Sequence, residues 1–186
     1  MLLHLNGPPG VGKSTLAAMW VDRHPGALNP DIDSLLRLVG GWQDPARDTH
    51  LLLRPAIRAM ASAHLAGGHD VVLPQYLARP EEIDAFAGAA EKADAALVEV
   101  VLLADRAEAV ARFDRRPDET EWHSHNRRRV AEQGGPEFLG TMYDRLLAVV
   151  RTRPSAVVVE SAAGAVEDTY AAVERAVTVA LEGAQP

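Results

Sequence analysis

Apolar positions along this chain fall into two patterns. Short, nearly unbroken runs occur at Met1–Leu5, Val71–Leu73, Leu97–Leu103 and Ala156–Glu160. Runs of this length, several rich in β-branched residues, predict strands buried on both faces. Ala27-Leu28-Asn29, closed by Pro30, predicts one more short strand. Between these runs apolar residues are spread at helical spacing. Helices are expected from Thr15 through Val21, over Ser34–Val39 until Gly40-Gly41 stops it, and from Thr49 to Ala66, where Pro55 either kinks the helix or starts its main part. Pro80 opens another helix, with Glu81 and Glu82 complementing its dipole. Asp105 can cap a helix running to about Arg115. Gly134-Gly135-Pro136 separates two helical stretches, the second ending near Arg151, and a last amphipathic helix covers Val166–Leu181. The segments Trp42–Asp48 and Pro117–His125 are polar and predict irregular connections.

Strands alternating with helices predict a three-layer α/β/α fold, with a five-stranded parallel sheet between two helical layers. Ligands bind such sheets outside the carboxyl ends of the strands. The residues in those places are Gly7 to Thr15, Asp31 and Asp33, Gln75 and Tyr76, Asp105 and Ser161.

The first of these segments carries a specific signal. Gly7-Pro8-Pro9-Gly10-Val11-Gly12-Lys13-Ser14-Thr15 is a complete G-x-x-x-x-G-K-[ST] phosphate-binding loop between an expected strand and an expected helix. Glycines let the main chain wrap a phosphate with no Cβ in the way, and the helix N-terminus aims N–H groups at the same point. Lys13 is then a bridge to the terminal phosphates, and Ser14 offers its hydroxyl to Mg²⁺.

Composition narrows the picture. At 186 residues the chain suits one domain, 1–186, with a sizeable core. A formal net charge of −7 supplies no overall basic field for nucleic acid. There is no cysteine, which excludes disulfides, thiolate catalysis and sulfur-ligated zinc. No secretory signal stands at the N-terminus and no apolar run is long enough to span a bilayer, so a cytoplasmic location is expected.

Beyond the loop, Asp33 is the leading candidate for a base. It follows the expected second strand, where a carboxylate can orient an acceptor hydroxyl and take its proton. It would also serve as N-cap of the short helix over Ser34–Val39. Asp31 is its rival, or a turn residue after Pro30. Arg112, Arg115 and Arg116 sit where a helix gives way to a polar loop, a place from which arginines can meet charge developing on moving phosphoryl oxygens. Trp42, Arg54, Gln75 and Tyr76, with Asp31, Asp33 and Arg37, are the candidate acceptor-binding residues. Arg127-Arg128-Arg129 reads first as a solvated helix face, and His123 with His125 lacks a third obvious metal ligand. Gln75 stands where many phosphate-loop enzymes carry an acidic residue.

With these residues in place the chain resembles the small phosphate-loop kinases, a group that includes shikimate and gluconate kinases, chloramphenicol phosphotransferase and zeta-toxin-like kinases. Ile32-Asp33-Ser34-Leu35 is similar to the chloramphenicol phosphotransferase segment that carries its catalytic aspartate. Arg112 and Arg116 resemble the paired arginines that open the family's lid. The resemblance implies Mg²⁺-ATP as donor, bound at Gly7, Pro9, Gly10, Val11, Gly12, Lys13, Ser14 and Thr15 with Arg112 against the adenine. It also implies a hydroxyl of a metabolite or antibiotic as acceptor, Lys13, Asp33 and Arg116 as catalytic residues, and a mobile lid from about Arg112 to His125. The competing readings are a nucleoside or polynucleotide kinase, an NTP-hydrolysing switch and a nucleotide-binding module without turnover. The departure at Gln75 leaves the choice of subfamily open.

Overall fold

The computed structural model describes residues 1–116 and 120–183. Four parallel strands, β1 (Leu2–Asn6), β2 (Val71–Leu73), β3 (Leu97–Leu103) and β4 (Val157–Glu160), form a sheet in the order β2-β1-β3-β4. The helices are α1 (Lys13–Arg23), α2 (Ile32–Leu35), α3 (Thr49–Ala66), α4 (Pro80–Lys92), α5 (Arg106–Arg115), α6 (Glu121–Glu132), α7 (Pro136–Val150) and α8 (Val166–Gly183).

The expected fifth strand is a correction. Leu28 makes a single parallel bridge to Val71 on the outer side of β2 and nothing longer. The reason is local. The Ala27 N–H is spent on a turn bond to His24, and Pro30 two residues on has no N–H to give, so one rung is all the segment can offer. The other strands lie where the apolar runs predicted them.

Alternation along the strands sorts side chains to two cores. Leu3, Leu5, Val72, Val98, Val100 and Leu102 face Leu16 and Trp20 of α1 and Tyr170, Val173 and Val177 of α8. Leu2, Val71 and Leu73 face Ile57, Ala61 and Leu65 of α3, Ile83 and Phe86 of α4 and Val149 of α7. Phe113, Val130 and Leu139 form a third small cluster that ties α5, α6 and α7 together. Helices therefore cover both faces, as a parallel sheet requires.

β1 is central, with β2 on one side and β3 on the other. The chain leaves β1 toward β2 and later returns past it to β3. The carboxyl end of β1 is thus the switch point at which such sheets hold ligands, and the glycine-rich loop begins there.

Two expectations about connections also change. The cap of α2 is Asp31, whose carboxylate accepts from the Asp33 N–H at 3.1 Å, and Asp33 lies in the first turn instead. The helix is also shorter than expected, four residues followed by a 3₁₀ turn over Leu36–Leu38. The segment read as irregular up to His125 is helical from Glu121, because the Thr120 hydroxyl accepts from the His123 N–H at 3.1 Å and starts α6.

Candidate active site

The phosphate loop is built by close approach. Gly10 and Gly12 have φ of +88° and +90°, in the left-handed region that favours glycine. A Cβ on Gly10 would stand 2.9 Å from the Phe113 nitrogen and 3.0 Å from the Ala109 carbonyl oxygen, so α5 packs directly on the loop. Gly12 ends the loop and α1 begins at Lys13.

Lys13 folds back over the loop. Its ammonium donates to the Gly7 carbonyl at 2.8 Å and to the Pro8 carbonyl at 2.9 Å. Two of three donors are thereby satisfied and one is left for an anion. Removal from water lowers its pKa from 10.5 to about 8; Asp33 and Asp31 oppose the shift and Arg116 adds to it.

Two side chains lock the loop from behind. Buried Asn6 accepts from the Gly7 N–H at 2.8 Å and from the Leu77 N–H at 3.1 Å, and donates to the Leu77 carbonyl at 2.8 Å. Buried Ser161, after β4, donates to the Val11 carbonyl at 3.0 Å and accepts from Arg112 at 3.3 Å. Asn6 was not among the expected residues. Its signal is an amide as the last residue of β1, directly before the loop glycine.

The loop opens into a cavity of about 730 Å³. Pro9, Gly10, Gly12, Lys13, Ser14 and Thr15 line it, together with Asp33, Trp42, Arg54, Gln75, Tyr76, Arg112 and Arg116. Four expected residues stand elsewhere, Asp31 among them. Gly7 supports the loop through its carbonyl, Val11 is buried in the core, and Arg37 is exposed outside the cavity.

Asp31 is not part of the cavity lining and lies beside Ser14. Burial, then the neighbouring Asp33, raises its pKa, while Ser14, the Asp33 N–H and Lys13 hold it down. A hydroxyl and a carboxylate side by side are hard oxygen donors of the kind Mg²⁺ prefers, so these two residues fit that ion. No cluster of three or more His, Asp or Glu suited to a metal occurs among the described residues.

Asp33 faces the cavity, and its Oδ1 lies 3.2 Å from His50 Nε2. His50 is the second residue of α3. Its ring meets Trp122 edge-on at 5.3 Å. Trp42 and His125 complete the group, 5.1 Å apart in a T-shaped contact. Burial, then Arg129 and Arg128, lowers the His125 pKa and favours its neutral ring. No fixed spacing announces this cluster, since His50, Trp122 and His125 come together through tertiary contact alone.

Farther from the loop, Arg54 pairs with Glu82, and the Arg54 Nε is buried with no hydrogen-bond partner among the described residues. The Tyr76 hydroxyl donates to the Met142 carbonyl at 2.9 Å. The Gln75 carbonyl accepts from buried His4 at 2.9 Å, and its side chain reaches the cavity. The basic run divides: Arg129 turns to the cavity, Arg127 donates to the Arg116 carbonyl, and Arg128 is exposed. Of the expected lid, Arg112–Arg115 is the last turn of α5 and Glu121–His125 the start of α6; residues 117–119 fall outside the described residues.

The family model described as AAA domain, AAA_33, matches residues 2–135, well over half of the chain, and the chain belongs to that family. No curated protein matches it. Among solved structures it is similar to a Deinococcus radiodurans tunicamycin resistance protein (TM-score 0.61, 17% identity, covering 95% of this chain and 94% of that one). It is also similar to a gluconokinase from Sinorhizobium meliloti 1021 (TM-score 0.59, 18% identity, 98% and 97% covered) and to a deoxyadenosine kinase from M. mycoides (TM-score 0.56, 12% identity, 96% and 99% covered). These likenesses show a shared fold, that of the small phosphate-loop kinases.

Proposed function

We propose that this member of the AAA-domain family transfers the γ-phosphoryl group of Mg²⁺-ATP to a hydroxyl of a small molecule, acting as one domain, 1–186, in the cytoplasm. The observation that carries the reading is the placement of Lys13 and Asp33 in one cavity, close enough for the Asp33 charge to act on the Lys13 ammonium. A phosphate-binding cation and a carboxylate in the same cavity, with space for a second ligand, are the parts phosphoryl transfer needs.

In this reading the loop N–H groups and Lys13 hold the β- and γ-phosphates. Ser14 and Asp31 would hold Mg²⁺, which when bound would neutralise charge on the phosphate oxygens. Asp33 accepts the proton of the acceptor hydroxyl as its oxygen attacks the γ-phosphorus, and the bond from that phosphorus to the β–γ bridging oxygen breaks, leaving ADP. Arg116 meets the charge that grows on the moving oxygens, and Arg112, braced by Glu108 at 2.9 Å, stands at the adenine side. Trp122 and His125 on α6 close the cavity against water, the part of the lid reading that the described residues support.

The cavity lining also combines Trp42 and Tyr76 with the Arg54–Glu82 pair. Rings with paired polar groups suit a nucleoside as well as a hydroxylated metabolite or antibiotic. The division of the basic run disfavours a polynucleotide. The test is ADP release from Mg²⁺-ATP in the presence of hydroxylated metabolites, antibiotics and nucleosides. One class that raises the rate in wild type and fails to do so in Lys13→Ala supports the proposal. A rate indifferent to every acceptor favours the hydrolysing switch.

A further inference from the structure

We propose that His50 is a positioning residue for Asp33, and that its own place is set by Trp122 of α6. The inference rests on the phosphotransfer reading of Asp33 given above. His50 Nε2 lies 3.2 Å from Asp33 Oδ1, and the two side chains are 35% and 33% exposed. A carboxylate oxygen accepts, so Nε2 carries the hydrogen and donates it.

The geometry has a consequence for Asp33. Its main chain is fixed by the Asp31 cap, but a half-exposed aspartate keeps two soft side-chain torsions. The bond from His50 removes that freedom at one oxygen and leaves the other for the acceptor hydroxyl. General-base catalysis depends on such placement within a few tenths of an ångström. The imidazole is fixed in turn by the edge-on contact with Trp122 at 5.3 Å, and Trp122 itself sits 6.5 Å from Trp42. The chain of contacts runs from α6 over the cavity to the carboxylate inside it, so the base is aligned when α6 is seated. A half-exposed pair adds little to stability; its purpose is therefore geometric, and its removal leaves the fold intact.

The experiment uses the full chain, Mg²⁺-ATP with water as acceptor, and ¹⁵N-histidine NMR. His50→Ala is expected to lower kcat by about tenfold or more with KM for ATP nearly unchanged, because alignment and not nucleotide binding is lost. His50→Gln, whose amide nitrogen reaches the place of Nε2, recovers most of that loss. In an Asp33→Asn background His50→Ala costs nothing further. By NMR the His50 ring signals move in both Asp33→Asn and Trp122→Leu. Equal losses from His50→Ala with and without Asp33, or ring signals indifferent to Asp33→Asn, would overturn the proposal. Turnover in Lys13→Ala equal to wild type defeats the phosphotransfer reading by itself, and the NMR arm still decides whether Asp33 and Trp122 set His50.

Discussion

Asn6 and Leu77 exchange both hydrogen bonds of an amide pair, at 2.8 and 3.1 Å, although 71 residues separate them. The same Asn6 oxygen holds the Gly7 N–H. One buried side chain thereby joins the start of the phosphate loop to the segment that carries Gln75 and Tyr76, and the donor and acceptor sides of the cavity are built on one anchor. Asn6→Ala leaves three main-chain groups buried without this partner. Each such group costs about 1–3 kcal/mol. The expected outcome is a loss of at least about 2 kcal/mol in urea unfolding together with weaker ATP binding by calorimetry.

Asp33 and Asp31 have different neighbours and separate cleanly by mutation. Asp33→Asn is expected to keep ATP affinity and to slow phosphoryl transfer by roughly 10²–10⁴-fold, the loss of a general base. Asp31→Asn, next to Ser14, is expected to raise the Mg²⁺ concentration needed for half-maximal ATP binding. Titrating both variants with Mg²⁺ and ATP distinguishes the two roles, and a base-like loss confined to Asp31→Asn would reverse their assignment.

Lys13 gives ATP binding a pH dependence. Its pKa is lowered to about 8. Below that pH the ammonium is charged and meets the phosphates directly. Above it, binding must first restore the proton, so affinity falls as pH rises, approaching about tenfold per pH unit. Calorimetry between pH 7 and 9.5 is expected to show this fall in wild type. Lys13→Arg, charged throughout, is expected to show none.

His4 does the same for stability on the acid side. Burial lowers its pKa from 6.5 to about 4, against the opposing effect of its bond to the Gln75 carbonyl and of Glu99. The folded state keeps the ring neutral while the unfolded chain takes a proton near pH 6.5. Stability is therefore full above that pH and falls as pH drops toward 4, by on the order of 3 kcal/mol. Urea unfolding at pH 7, 5.5 and 4 is expected to show wild type losing that much more than His4→Gln.

The phosphate loop and most helices were legible because their signals are local: glycine spacing, apolar period and caps. The place of Asp33 at this cavity was legible, but not that Asp31 caps α2 in its stead, since choosing between two aspartates two residues apart needs the side-chain torsion of Asp31. The strand at Leu28 failed for a reason that Pro30 signals, a missing donor that limits the ladder to one rung. The start of α6 was missed because Thr120 is followed at the third position by His123 and not by the glutamate or glutamine of a capping box. Asn6, His50 and Trp122 were not read as site residues because each acts through a partner distant in sequence, and no spacing encodes such a meeting.

The central claim is that the γ-phosphoryl of ATP leaves this cavity on another molecule's oxygen. Phosphorus NMR of the full chain with Mg²⁺-ATP and each class of hydroxylated acceptor tests it directly. The account predicts, for one acceptor class, a new phosphomonoester signal rising in step with ADP, absent in Lys13→Ala and strongly slowed in Asp33→Asn. ADP appearing with inorganic phosphate alone for every acceptor, or no ADP at all, would contradict it.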